Sequence, residues 1–151
     1  MVEPGGQANL TETVVANASA GVLVRGAFNG TDVVFNDAYR GLSVMGGAAE
    51  VSGMEAHRMD YEAIYVASGT LHANDVLARE VAVGLANHGQ SNITDLTVQE
   101  AGVGVQSQGG SMNLSGLNVH NASVGFATVS GASTLLDTFT GSGLALAIDA
   151  G

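Results

Sequence analysis

The chain has 151 residues, 46% of them hydrophobic, 12% charged and 5% aromatic, with 22 glycines, one proline and no cysteine or tryptophan. That is one domain's length, too apolar for a disordered chain, and the lack of cysteine excludes disulfides, thiolate metal sites and a cysteine nucleophile. A formal net charge of −10, with only four cations (Arg25, Arg40, Arg58 and Arg79), argues against nucleic acid or an anionic membrane as a partner.

No run approaches the roughly 18 to 20 apolar residues of a membrane span, so no membrane insertion is expected. The start Met1-Val2-Glu3-Pro4 lacks the basic and apolar regions of a signal peptide. From there a repeat fills the chain. Glycines recur at Gly6, Gly26, Gly47, Gly69, Gly89, Gly110, Gly131 and Gly151, at spacings of 20 to 22 residues, marking about seven units. Four residues after each glycine stand Leu10, Gly30, Val51, Ala73, Ile93, Leu114 and Leu135; the next position is mostly polar. The ninth and twelfth positions are again apolar or small, and a second glycine column follows at Gly21, Gly41, Gly84, Gly104 and Gly125, with Glu62 as the exception.

Within a unit, apolar residues alternate over three to five positions and change phase at Gly, Asp or Asn. That pattern predicts short strands separated by bends, with no room for a helix. Three short strands per coil, each coil stacking on the next at about 4.8 Å, make an all-β parallel β-helix solenoid. A left-handed hexapeptide helix would keep a six-residue beat, so the variable spacing predicts the right-handed form. The chain reads as a single domain over 1–151, either whole or a segment of a longer β-helix.

Carried by segments such as Ser91-Asn92-Ile93-Thr94-Asp95-Leu96-Thr97-Val98 and Gly116-Leu117-Asn118-Val119, the sequence resembles the right-handed parallel β-helix repeat proteins of the pectin-lyase-like superfold. That resemblance implies the fold and leaves a choice among polysaccharide lyases and hydrolases, tailspikes and secreted adhesins. Two departures are the near absence of inserted loops and the lack of a capping helix at either end, which points to partners found end to end or in neighbouring coils of a longer chain.

Three sets of side chains are candidates for chemistry. The sixth position carries Glu12, Asp32, Asp75, Asp95 and Asp137; Asp75 and Asp95 on adjacent coils suit calcium, or else are turn residues capping their own backbone. No other cofactor is required. Positions eight to eleven form a polar strip through Glu55, His57, Arg58, Arg79, Glu80, Gln99, Glu100, His120 and Asn121. As a binding surface this strip offers Glu55, His57, Arg58, Arg79, Gln99 and His120. As a catalytic site, Arg79 would hold a uronate, His57 or His120 act as base, and Glu80 with Glu100 hold a metal. The same alternation of charge suits solvated pairing between coils. Third, Asn9, Asn17, Asn29, Asn92, Asn113 and Asn121 begin six N-x-Ser/Thr sequons, read either as glycosylation sites or as the outer face of strands, where i and i+2 point the same way. A flat Thr ladder of the ice-binding kind is interrupted by Glu50, His72 and Asn74. Aromatic scarcity counts against tight glycan binding. The leading expectation is a non-catalytic extracellular or cell-surface β-helix that is structural, adhesive or self-assembling; the alternative is a lyase, hydrolase or epimerase acting on an anionic glycan.

Overall fold

A computed structural model describes residues 1–129 and 131–150. The strands are β1 (Gln7–Ala16), β2 (Val22–Val24), β3 (Ala27–Ala38), β4 (Leu42–Asn87), β5 (Gln90–Ser107), β6 (Ser111–Thr128), β7 (Ser133–Leu136), β8 (Phe139–Ser142) and β9 (Leu146–Ala150). No helix occurs among the described residues. Every pairing is parallel and joins residues 20 to 22 apart, as in Asn9↔Asn29, Ile93↔Leu114 and Leu117↔Phe139. The chain is therefore a parallel β-solenoid, of about six turns.

The length of β4, 46 residues, means that the chain stays hydrogen-bonded to its neighbours through several bends. Pairing between β4 and β5 shows three runs per coil, within 70–74, 76–79 and 81–87, broken at Asp75 and Glu80. These three runs are the three faces of the coil, called here first, second and third in chain order.

Both breaks have one cause. Glu12, Asp32, Gly53, Asp75, Asp95 and Gly116 have φ between 47° and 74°, and so do Asn17, Asp37, Arg58, Glu80, Glu100 and Asn121. Each of these coils thus turns twice on a single residue in the left-handed conformation, which rotates the next strand onto a new face without a loop. Asn and Asp tolerate that conformation better than other side chains, which accounts for their abundance in both columns.

The core is a stack of identical columns. Ile93, Leu96 and Val98 are fully buried between Ala73, Val76 and Ala78 of the preceding coil and Leu114, Leu117 and Val119 of the next. Side chains point inward at every second position of each strand, so the alternation seen in sequence is the burial pattern. At the third corner, Asn87 is fully buried and its amide donates to the carbonyls of Gly89 (3.3 Å) and Gly109 (3.2 Å), tying two coils together.

From Gly26 to Gly110 the first glycine column exists for want of room. A Cβ on Gly47 would fall on the backbone carbonyl of Gly26, and one on Gly89 would lie 2.9 Å from that of Gly69. In the second column, Gly41 abuts the carbonyl of Ala63 at 2.5 Å for an added Cβ. Ala63 thus stands where counting put Glu62, because this coil holds one extra residue. Since the atom in the way at Gly47 is backbone, Gly47→Ala is expected to lower stability by about 1 to 3 kcal/mol, measured by urea unfolding; an unchanged midpoint would remove the close-approach explanation.

Candidate functional site

The strip lies where the sequence placed it, along the second face and its corner, and most of its charges are used between coils. Arg58 donates from Nε to Asp37 Oδ1 (2.6 Å) and from Nη2 to Oδ2 (2.8 Å), a two-pronged pair linking consecutive coils. That hydrogen bond, opposed by burial and aided by Arg58's charge, holds the Asp37 carboxyl below its ordinary value, while the pKa of the Arg58 guanidinium is raised in turn. Arg79 donates to Glu100 Oε1 at 3.4 Å and has Glu80 3.6 Å away. His57 Nε2 sits 3.0 Å from Glu55, and His120 Nδ1 2.6 Å from Ser142. Gln99 stands between Arg79 and His120 in the ladder. Arg58, Glu80 and Glu100 owe their positions to corner geometry, which sequence reading did not anticipate for such side chains.

Asp75 and Asp95 are left-handed corner residues, both exposed. The Asp95 carboxylate leans over the next coil, with an oxygen where a Cβ on Gly116 would be; Asp32 stands in the same way over Gly53. Calcium takes about six to eight oxygens, and no group of three acidic or histidine side chains gathers among the described residues. The residues present suit a corner more closely than a calcium cage.

Asn9, Asn29, Asn92 and Asn113 occupy one outward column of the first face, while Asn17 and Asn121 are corner residues. Asn29 Nδ2 donates to Asn9 Oδ1 at 3.1 Å. The four Asn of that column form adjacent pairs one coil apart, too close for a glycan on each member of a pair.

Two features escaped the sequence reading. On the first face a shallow trough of about 460 Å³ is lined by Asn29, Thr31, Glu50, Ser52, His72, Asn74, Asn92 and Thr94. It continues past His72 and Asn92 to Thr70, Gln90 and Ser111, and from there to Gly69, Gly89, His88 and Gly110. Glycines line the far end, and Glu50, His72 and His88 are the ionisable groups among the described lining residues. His72 and His88, unassigned from sequence, thus belong to one depression.

All three tyrosines gather beside Arg40 and Glu62. Tyr39 and Tyr61 stack with ring centroids 5.5 Å apart and planes 4° from parallel, and the Arg40 guanidinium lies 4.5 Å from the centre of Tyr65. Tyr65 meets His88 edge-on at 5.8 Å. Glu62 is buried and accepts from both Nε and Nη2 of Arg40. Burial disfavours the Arg40 charge, but the Glu62 hydrogen bond and charge, with smaller help from Tyr39 and Tyr65, outweigh it and raise the guanidinium pKa. A cation between a buried carboxylate and aromatic faces is a fixed structural element.

The ends differ from the middle. Ala8, Leu10 and Val15 of the first coil occupy inward columns yet are only half-buried, and a cavity of about 280 Å³ opens among them, Val22 and Phe28. At the other end Ile148, paired with the buried Phe126, is 50% exposed, and Leu135 and Leu146 lie exposed nearby. No protein-family model matches the chain, and no curated protein or solved structure is significantly similar to it.

The corner role of Asp95 has a direct test. Asp95→Gly should keep the parent's stability, whereas Asp95→Val should cost about 1 to 2 kcal/mol in urea unfolding. Equal loss in both variants would mean that the carboxylate itself matters there.

Proposed function

We propose that the chain is a non-catalytic β-helix module, structural or adhesive and acting at the cell surface or outside the cell, that assembles head to tail through its terminal coils. The observation carrying this reading is the incomplete burial of inward positions at both ends: Leu10 and Leu136 close the two ends of one column and are only half-buried, as is Val15 at the first end, and Ile148 at the other end is exposed. A second copy translated along the axis would continue each inward column and pair the free strand edges, the head-to-tail arrangement that generates filaments. The variable 20- to 22-residue spacing supports right-handed winding of the pectin-lyase-like kind. Calcium is not needed for this role.

A second reading has one observation in its favour. The first-face trough, which sets the amides and hydroxyls of Asn29, Thr31, Ser52, Asn74, Asn92 and Thr94 beside apolar surface, suits a hydroxyl-rich ligand such as a glycan, more so than the second-face strip whose arginines are already paired. Ten net negative charges work against an anionic glycan at long range.

Size-exclusion chromatography with light scattering distinguishes the readings. Assemblies should grow with protein concentration and with salt, because each copy carries the same net negative charge and salt screens the repulsion. Ile148→Lys, at a side chain already half exposed, should give a folded monomer with the parent's circular dichroism. A parent that stays monomeric at high concentration and high salt would overturn the assembly reading and leave the trough as the working surface.

A further inference from the structure

The stacked tyrosines have a chemistry that neither assembly nor trough uses. Tyr39 and Tyr61 lie on consecutive coils, held in place by a backbone hydrogen bond from Tyr61 N–H to the Tyr39 carbonyl (3.0 Å). Their rings are nearly parallel, 5.5 Å apart, and 47% and 43% exposed, with the Arg40 guanidinium 5.5 Å from the centre of each, so oxidants reach them from the open side. Tyr65 is half-buried, its face covered by Arg40 and its edge against His88. The chain has no cysteine, the side chain that would otherwise quench a tyrosyl radical most readily.

We infer that Tyr39 and Tyr61 form an oxidative cross-linking site, at which a one-electron oxidant fed by hydrogen peroxide joins the two rings as dityrosine and staples adjacent coils. Each phenol gives up one electron and its hydroxyl proton. The two radicals form a carbon–carbon bond between positions ortho to the oxygens, and the ortho hydrogens move to the oxygens as the rings regain aromaticity. Hydrogen peroxide accepts the two electrons and two protons, so two tyrosines and one peroxide give one dityrosine and two waters. No covalent link of disulfide type is open to a chain without cysteine. The product would close a loop in the unfolded chain and so stabilise the fold.

The test is exposure of the dilute, folded chain to a peroxidase with hydrogen peroxide, followed by intact mass, dityrosine fluorescence and cleavage after arginine. The expected product is a monomer lighter by two hydrogen atoms, in which segment 26–40 is joined to segment 59–79, with a raised urea midpoint. Tyr39→Phe and Tyr61→Phe should each abolish the link, since phenylalanine keeps the stack but lacks the phenol, while Tyr65→Phe should leave its yield unchanged. Circular dichroism verifies that all three variants are folded. Cross-linking only between chains, a link that requires Tyr65, or methionine oxidation without any dityrosine would each overturn the inference.

Discussion

Everything in this fold depends on turning a strand sharply without leaving the sheet. A coil of 20 to 22 residues has to present three faces, and two of its corners are made by one left-handed residue each. For a residue with a Cβ that conformation costs about 1 to 2 kcal/mol, and Glu12, Arg58, Glu80 and Glu100 adopt it without the local advantages of Asn or Asp. Hydrogen bonding along three faces and the closed inward columns hold them there. Glycine supplies the complementary constraint, allowing coils to approach where a methyl group would meet a carbonyl.

The same geometry explains the surface. A left-handed corner throws its side chain outward beside the neighbouring coil, which brings charges at and next to the corners within reach of one another. Arg58 pairs with the equivalent corner residue Asp37, and Arg79, one residue before its own corner, pairs with the corner residue Glu100. Being exposed, each stabilises the fold only weakly. The Arg40–Glu62 pair differs, because Glu62 is buried and its charge would be stranded without the guanidinium.

Fold class and inward columns were legible in the sequence because glycine spacing and period-two alternation are direct consequences of stacking and strand geometry. The sixth-position acids were legible as corners for the same reason, since Asp and Asn are ordinary left-handed residues. Arg58, Glu80 and Glu100 looked like chemistry because nothing in their side chains signals a turn. The tyrosine cluster was hidden by the drift of the repeat. Tyr39 falls thirteen residues after Gly26 and Tyr61 fourteen after Gly47, so a fixed column count separates two rings that the structure stacks. The trough was invisible for another reason: its shape comes from missing glycine side chains as much as from the polar groups around it.

A stack of this kind holds each coil through its two neighbours, and the first and last coils have only one. Hydrogen exchange followed peptide by peptide, at low and high protein concentration, tests that account most directly. When dilute, protection should peak around 71–119 and fall toward both ends; when concentrated, the gain should be confined to the two terminal coils. Uniform protection along the dilute chain, or a gain on concentration centred on the middle coils, would contradict it.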